Sequence, residues 1–382
     1  MAAPFLAKAN SVFNLALFKT LSEKNKTDNI FYSPFSISSA LAMVLLGARG
    51  NTAEEMSRWL PSLSPTADDV HAKFGELLSN LNKEDAPYAL SVANRLYGEQ
   101  SIQFLQEFLA DLEKYYRAEL ESVDFKNNAE EARVKINTWM EKATQGTIKD
   151  LLALGDLDNE AKLVLVNAIY FNAKWERPFA SSKSFDGSFR INADTDKPVR
   201  MMRQESEFFY RHIPKDNLKV LEMAYKNRDL SMIILLPEYF EDRTTGLEKL
   251  ESRLTHQNFV EWTRPDKMKH GMVDVTIPKF KLAQMYDLNN VLQEMGMSDA
   301  FTSKSDLSGM SPVKDLVLSK VVHKAFVEVN EKGTVAAAMS TDIVWYGLSE
   351  PFHFIADHPF LFFIRHNPSS SVLFAGRFCS PE

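Results

Sequence analysis

The sequence predicts an α+β fold. Three observations carry this: helix caps punctuate the first third, two later runs are apolar without interruption, and short strand-like segments crowd the C-terminal stretch. Ser33-Pro34 opens an apolar run from Phe35 to Leu46 that stops at Gly47 and Gly50, the order of cap, early proline and terminal glycine expected of a helix. Thr52-Ala-Glu-Glu55 then has capping-box spacing, which predicts that the next helix starts there. Between Asn128 and Thr144, Ala132, Ile136, Trp139, Met140 and Ala143 recur at helical spacing, and Gly146 ends the stretch.

The pattern changes near Leu163. Leu-Val-Leu-Val-Asn-Ala-Ile-Tyr-Phe171 is too continuously apolar for a half-exposed strand and fits one buried on both faces, as does Leu230 to Leu236. Val273, Val275 and Ile277 alternate with Asp274 and Thr276, which predicts a strand with one wet face that Pro278 interrupts. Phe326 to Asn330, Phe360 to Ile364 and Val372 to Phe378 are further strands, and a short helix is expected between Asp287 and Met295. No Gly/Ser-rich or Pro-rich linker and no repeat divides the chain, so residues 1–382 are expected to form a single domain.

Composition narrows the function classes. Apolar residues make up 45% and charged residues 25%, values that supply a buried core. The 44 Lys and Arg against 51 Asp and Glu leave a net charge of −7, which argues against nucleic acid as a partner. The one cysteine, Cys379, permits neither an intramolecular disulfide nor a cysteine-rich metal site, and is expected to be buried as a small apolar residue. Met1 to Lys8 lacks the pattern of a cleaved signal peptide, and the longest apolar run, Ala40 to Ala48, is about half of what crosses a bilayer. Cytoplasmic residence with no membrane partner is therefore expected, with unconventional secretion as the alternative; the sequon Asn25-Lys26-Thr27 would carry a glycan only if the chain were exported by an uncleaved signal. His-Glu-x-x-His, Gly-x-Ser-x-Gly, P-loop and dinucleotide-binding patterns are all missing, so neither an enzyme nor a cofactor or metal is expected.

One segment breaks the pattern. Between the strand ending at Asn330 and the one near Phe360 lies a connector, about 331–352, with no turn signal until Gly347. A structureless loop that long inside a compact domain is either functional or a misassignment. Its first half is small residues and its second, Ile343-Val-Trp-Tyr346, is bulky and apolar. On local pattern alone, a helix capped by Thr334 and running through the alanines fits as well.

Glu331-Lys-Gly-Thr-Val-Ala-Ala-Ala338 resembles the hinge of the reactive-centre loop of inhibitory serpins. Six further segments resemble serpin motifs in serpin order: Asn29 to Ser38, Asn167 to Phe179, Met295 to Phe301, His323-Lys-Ala, Ala356-Asp-His-Pro-Phe-Leu-Phe-Phe363 and Gly376-Arg-Phe378. The resemblance covers nearly the whole chain, roughly Asn10 to Pro381, and the Ala-Asp-His-Pro-Phe segment is similar to the ovalbumin-type intracellular branch. The resemblance implies a serpin fold of three β-sheets and eight or nine helices with an exposed loop. It also implies a suicide-substrate mechanism: a serine protease cuts the loop, and the freed upstream arm enters the main sheet and carries the acylated enzyme along.

The residues permit this. In an inserted strand Thr334, Ala336, Ala338 and Ser340 share one face, all small, while Val335, Ala337, Met339 and Thr341 share the other. Gly333 is the pivot. Thr334 to Gly347 at about 3.3 Å per residue spans roughly 46 Å, comparable with a chain whose radius of gyration is about 21 Å. Lys332, Val335 and Met339 depart from the family's hinge, which predicts slower insertion. Counting from the hinge puts the cut at Gly347–Leu348; counting back from Ala356 puts it at Tyr346–Gly347. Tyr346 is favoured because a large aromatic fills a deep apolar pocket, which implies chymotrypsin-like targets, with elastase-like enzymes and then cysteine proteases as the alternatives.

By resemblance, Ser33, Ser36, Asn167 and His323 match the shutter beneath the opening strands, and Trp175 with Glu331 the breach where insertion begins. Heparin is not an expected partner, because Thr66 to Glu76 carries acids where a basic helix would be needed, and a monomer is expected. A serpin that no longer inhibits is the competing reading; the small Ala336-Ala-Ala338 speaks against it.

Overall fold

The computed structural model describes residues 4–60, 67–238, 244–331 and 349–382. Helices cluster early: α1 (Pro4–Lys24), α2 (Pro34–Leu45), α3 (Gly50–Ser57), α4 (Ala67–Leu81), α5 (Gln106–Tyr116) and α6 (Phe125–Ala143), followed later by the short α7 (Leu247–Ser252), α8 (His256–Trp262) and α9 (Asn289–Glu294). α2 begins as its cap predicts, with the Ser33 hydroxyl accepting from the Ser36 amide at 3.0 Å and Pro34 in the first turn. α3 does not begin at Thr52. It starts at Gly50, and the presumed capping pair reaches across space: the Thr52 hydroxyl accepts from the Asp306 amide at 2.9 Å, and the Glu55 carboxylate from the amides of Ser298 and Asp299 at 3.0 and 2.9 Å.

The main sheet has five strands in the order β10 (Phe280–Asp287), β11 (Leu318–Val329), β4 (Leu163–Ala173), β2 (Tyr88–Glu99) and β3 (Leu120–Val123). β4 is buried on both faces because α2 packs on one side and α6 caps a separate apolar cluster of Ile136, Met140, Val164 and Val166 on the other. The twelve-residue β2 lies within the stretch whose sequence reads as helical, paired antiparallel with β4 along its length.

The other nine strands form one continuous sheet, ordered β1 (Ile30–Tyr32), β14 (Ser371–Phe378), β13 (Phe360–His366), β8 (Leu230–Pro237), β7 (Leu218–Ala224), β6 (Thr195–Ile213), β9 (Lys269–Pro278) and β12 (Phe352–Ile355), with β5 (Phe185–Asn192) on β6. Two of the three expected sheets are joined here, since the nineteen residues of β6 pair in turn with β5, β9 and β7. The expected wet face of β9 is absent: Asp274 and Thr276 are buried along with the valines. Asp274 is held there by a bidentate pair with Arg203, both bonds 2.9 Å, and by His353 at 3.3 Å, so the alternation marks a carboxylate covered by two half-exposed partners beside β12. Cys379 is buried as expected.

Candidate functional site

Every neighbouring pair in the main sheet is antiparallel except β2 with β3 and, at its centre, β4 with β11. Parallel strands at a sheet's centre leave a distinctive opening: a strand that follows β11 and reverses direction would lie antiparallel to both neighbours if it entered between them. The chain leaves β11 at Val329 and runs straight into the connector.

A polar network bolts this seam at mid-height. Asn167 of β4 and His323 of β11 are register partners, and His323 Nδ1 bonds Asn167 Oδ1 directly. The Ser33 amide donates to His323 Nε2 at 3.0 Å, so that nitrogen is unprotonated and Nδ1 carries the hydrogen it gives to Asn167. Asn167 Nδ2 donates to the Ser36 hydroxyl at 2.6 Å and to Asn94 Oδ1, while the Ser33 hydroxyl donates to the Leu373 carbonyl at 2.6 Å. Burial holds the His323 pKa down at about 3, so the ring is neutral at physiological pH and matches the proton count the network needs. Separating β4 from β11 breaks the Asn167–His323 bond and withdraws partners from groups that water does not reach.

A second cluster stands at the end of the seam where the connector begins. Trp175 stacks on Tyr225 with ring centroids 4.4 Å apart and donates from Nε1 to the Asn330 carbonyl at 3.0 Å. Glu331, 8% exposed, takes Lys279 at 3.0 Å and the Ser184 hydroxyl at 2.9 Å, and its carbonyl accepts from the Phe179 amide at 3.3 Å. Burial alone would raise the Glu331 pKa; a backbone hydrogen bond, Lys279 and Ser184 outweigh it and hold the carboxyl below its ordinary value. The connector's far end is tied to the strand that leads into Lys279, for β12 pairs with Val273 to Thr276 of β9, which ends at Pro278. There Phe352 stacks on Tyr210 at 4.4 Å, with the Lys219 ammonium 5.3 Å over its ring.

The structure thus brings together Ser33, Ser36, Asn167 and His323 in one cluster and Trp175 with Glu331 in another. The hinge residues Gly333, Thr334, Val335, Ala336, Ala337 and Ala338, the reactive-bond residues Tyr346, Gly347 and Leu348, and the departures at Lys332 and Met339 lie outside the described residues. Sequence reasoning missed Asn94 and Ser39, which extend the first cluster through a 3.3 Å bond, and Lys279 and Ser184, which hold Glu331. Only Asn94 had a usable signal, a lone amide on a face otherwise carrying Leu90, Val92 and Leu96.

Residues 8–381 match the family model described as Serpin (serine protease inhibitor). The chain is a serpin. It is 51% identical to the leukocyte elastase inhibitor of Sus scrofa over 98% of this chain and 99% of that one, and 50% identical to the leukocyte elastase inhibitor of Homo sapiens with the same coverage. Among solved structures it is similar to uncleaved ovalbumin, with a TM-score of 0.91 and 36% identity over 98% of this chain and 100% of that one. The serpin resemblance read from the motifs, and its ovalbumin-type character, agree with these relatives.

Proposed function

We propose that this serpin inhibits a serine protease as a suicide substrate: the enzyme cuts the connector, and the freed arm from Thr334 enters between β4 and β11 while the acyl bond still holds the enzyme. The observation that carries the reading is the central parallel seam, bolted by neutral His323 and continued by the connector at its open end. Opening costs the Asn167–His323 bond; an inserted strand then supplies ladder hydrogen bonds on both sides and buries new area. Glu331, anchored by Lys279 and Ser184, is the fixed point about which Gly333 turns, and Trp175 guards the entry.

Tyr346–Gly347 is proposed as the cleaved bond, with Gly347–Leu348 as the site for an elastase-like enzyme. The names of the relatives favour an elastase-like target, and the aromatic Tyr346 a chymotrypsin-like one. Cysteine proteases belong in the same panel. The panel tests the reading: an SDS-stable complex is expected with at least one serine protease, and mass spectrometry of the released C-terminal peptide locates the cut. If cleavage by every enzyme yields only nicked chain, the protein is a serpin without inhibitory function. Cytoplasmic residence as a monomer is proposed on the single buried Cys379 and is checked by fractionation and sedimentation.

A further inference from the structure

The seam between β4 and β11 is closed a second time at its foot, by different chemistry. The ladder is interrupted there: the register shifts between Leu318 and Lys320, which leaves Ser319 with no opposite residue on β4. Other contacts close the gap. The Lys162 amide, just ahead of β4, donates to the Ser319 hydroxyl at 2.9 Å, and the Lys162 ammonium pairs with the Asp315 carboxylate and donates to the Asp315 carbonyl at 3.3 Å. Asp156, on the segment between α6 and β4, reaches across to Lys320 at 3.6 Å. Lys320 also holds Asp287 at the end of β10, at 3.1 Å, but that contact lies on one side of the seam and survives its opening.

The two closures differ in what they respond to. The bolt at Asn167 and His323 is neutral and buried, so salt does not screen it. The foot is ionic and open. Asp156, Asp158, Glu160 and Asp287 line a surface pocket of about 250 Å3 around Lys320, and the Lys162 and Asp315 side chains are 31% and 70% exposed. A hydrogen bond from Lys162, together with its charge, holds the Asp315 carboxyl below its ordinary value, so the pair is ionised at physiological pH. Ion pairs this exposed weaken as salt rises.

They also differ in place. A strand that turns back after Val329 and runs beside β11 passes His323 about 20 Å along its path and Lys320 about 30 Å along it, at about 3.3 Å per residue. The arm from Thr334 to Gly347, roughly 46 Å when extended, is long enough to reach the foot. Its entry sets β4 and β11 apart by one further strand spacing, about 4.8 Å, which breaks Lys162–Asp315 and Lys320–Asp156 alike. We propose that the foot is a separate ionic bolt governing the last stage of arm entry, and that salt thereby sets what fraction of cut chains traps the enzyme before water hydrolyses the acyl ester to free enzyme and nicked chain. The proposal rests on the insertion mechanism above and gives its final stage four positioning residues, Asp156, Lys162, Asp315 and Lys320.

Two synthetic peptides, copies of residues 334–340 and 334–346, are incubated with the native protein, and their entry into the seam is followed by the rise in melting temperature. Laid beside β11, the shorter ends near His323 and the longer passes Lys320. Raising salt from about 0.05 M to about 0.5 M is expected to speed entry of the longer peptide about threefold and to leave the shorter unchanged. The double variant Asp156→Asn, Asp315→Asn should take up the longer peptide about threefold faster at low salt and gain nothing further from added salt. His323→Gln should speed both peptides and keep the salt effect. Native-like circular dichroism keeps the double variant comparable, and Asp315→Asn stands alone if it does not fold. A longer peptide indifferent to salt, or a salt effect retained in the variant, overturns the foot bolt. The ratio of trapped to nicked chain on SDS gels reads the same conditions in the protein's own loop; a ratio that salt leaves unmoved overturns the link to trapping, and this ratio decides alone should neither peptide enter. Cleavage that leaves the melting temperature unchanged, with neither peptide entering, refutes insertion itself.

Discussion

Acidification from pH 7.5 to 5 removes about 2 kcal/mol of stability through His323 alone. In the folded chain burial holds its pKa at about 3. In the unfolded chain it titrates near 6.5, so the folded value is depressed, its contribution is fully present above about pH 6.5, and it is lost progressively as the pH falls toward 3. At pH 5 the unfolded imidazole lies about 1.5 units below its pKa and is almost fully protonated while the folded one is neutral; at about 1.36 kcal/mol per unit this gives the figure above. The geometry explains why protonation is not tolerated: a second N–H at Nε2 would face the Ser33 amide, a donor 3.0 Å away, in a fully buried site. The measurement is the first urea transition of wild type and His323→Gln at pH 7.5 and 5. His256 and His366, whose pKa values burial also lowers, contribute to both proteins and cancel. Wild type should lose about 2 kcal/mol more than the variant over this interval. Equal losses would refute the neutral, buried reading of the bolt.

Three further outcomes follow from particular contacts. Glu331→Gln and Lys279→Met should each lower the first unfolding transition, with a coupling of only about 0.5–1 kcal/mol in a double-mutant cycle because the Lys279 side chain is 42% exposed; zero coupling would remove the pair as the anchor of the arm. Gly376→Ala would place a Cβ 2.3 Å from the Phe362 ring across the β13/β14 pairing, and should cost about 1–3 kcal/mol in thermal or urea unfolding, partly recovered by Phe362→Leu; an unperturbed Gly376→Ala would refute the close packing. Cys379, whose thiol burial pushes up to about 12, should react with a disulfide reagent at pH 8 only after unfolding, and fast stoichiometric labelling of the native protein would contradict its placement.

Signals that lie within a few consecutive residues were legible. The cap at Ser33-Pro34 placed α2, and the apolar runs at Leu163 and Leu230 gave β4 and β8, because capping chemistry and two-sided burial leave their mark along a short stretch. The same local reasoning failed where neighbours in space altered the meaning of a pattern. Asp274 and Thr276 read as solvent-facing, yet Arg203 and His353 bury the first of them. Thr52 and Glu55 read as a reciprocal cap and instead bond loops more than two hundred residues away. β2 was lost among helices because half of its residues are only partly buried and give no clean alternation.

The sequence by itself carried the family resemblance and the position of the small-residue arm along the chain, since each is written in contiguous motifs. Resemblance grouped Ser33, Ser36, Asn167 and His323, but only the tertiary structure decided which of their atoms bond. Ser33 and His323 stand 290 positions apart, Asn167 and His323 stand 156 apart, and Asn94 and Lys279 each join one of the two clusters through a partner distant in the chain. The reason is register: a hydrogen bond between strands depends on which residues are set opposite one another, and that is fixed by how the whole sheet packs against its helices.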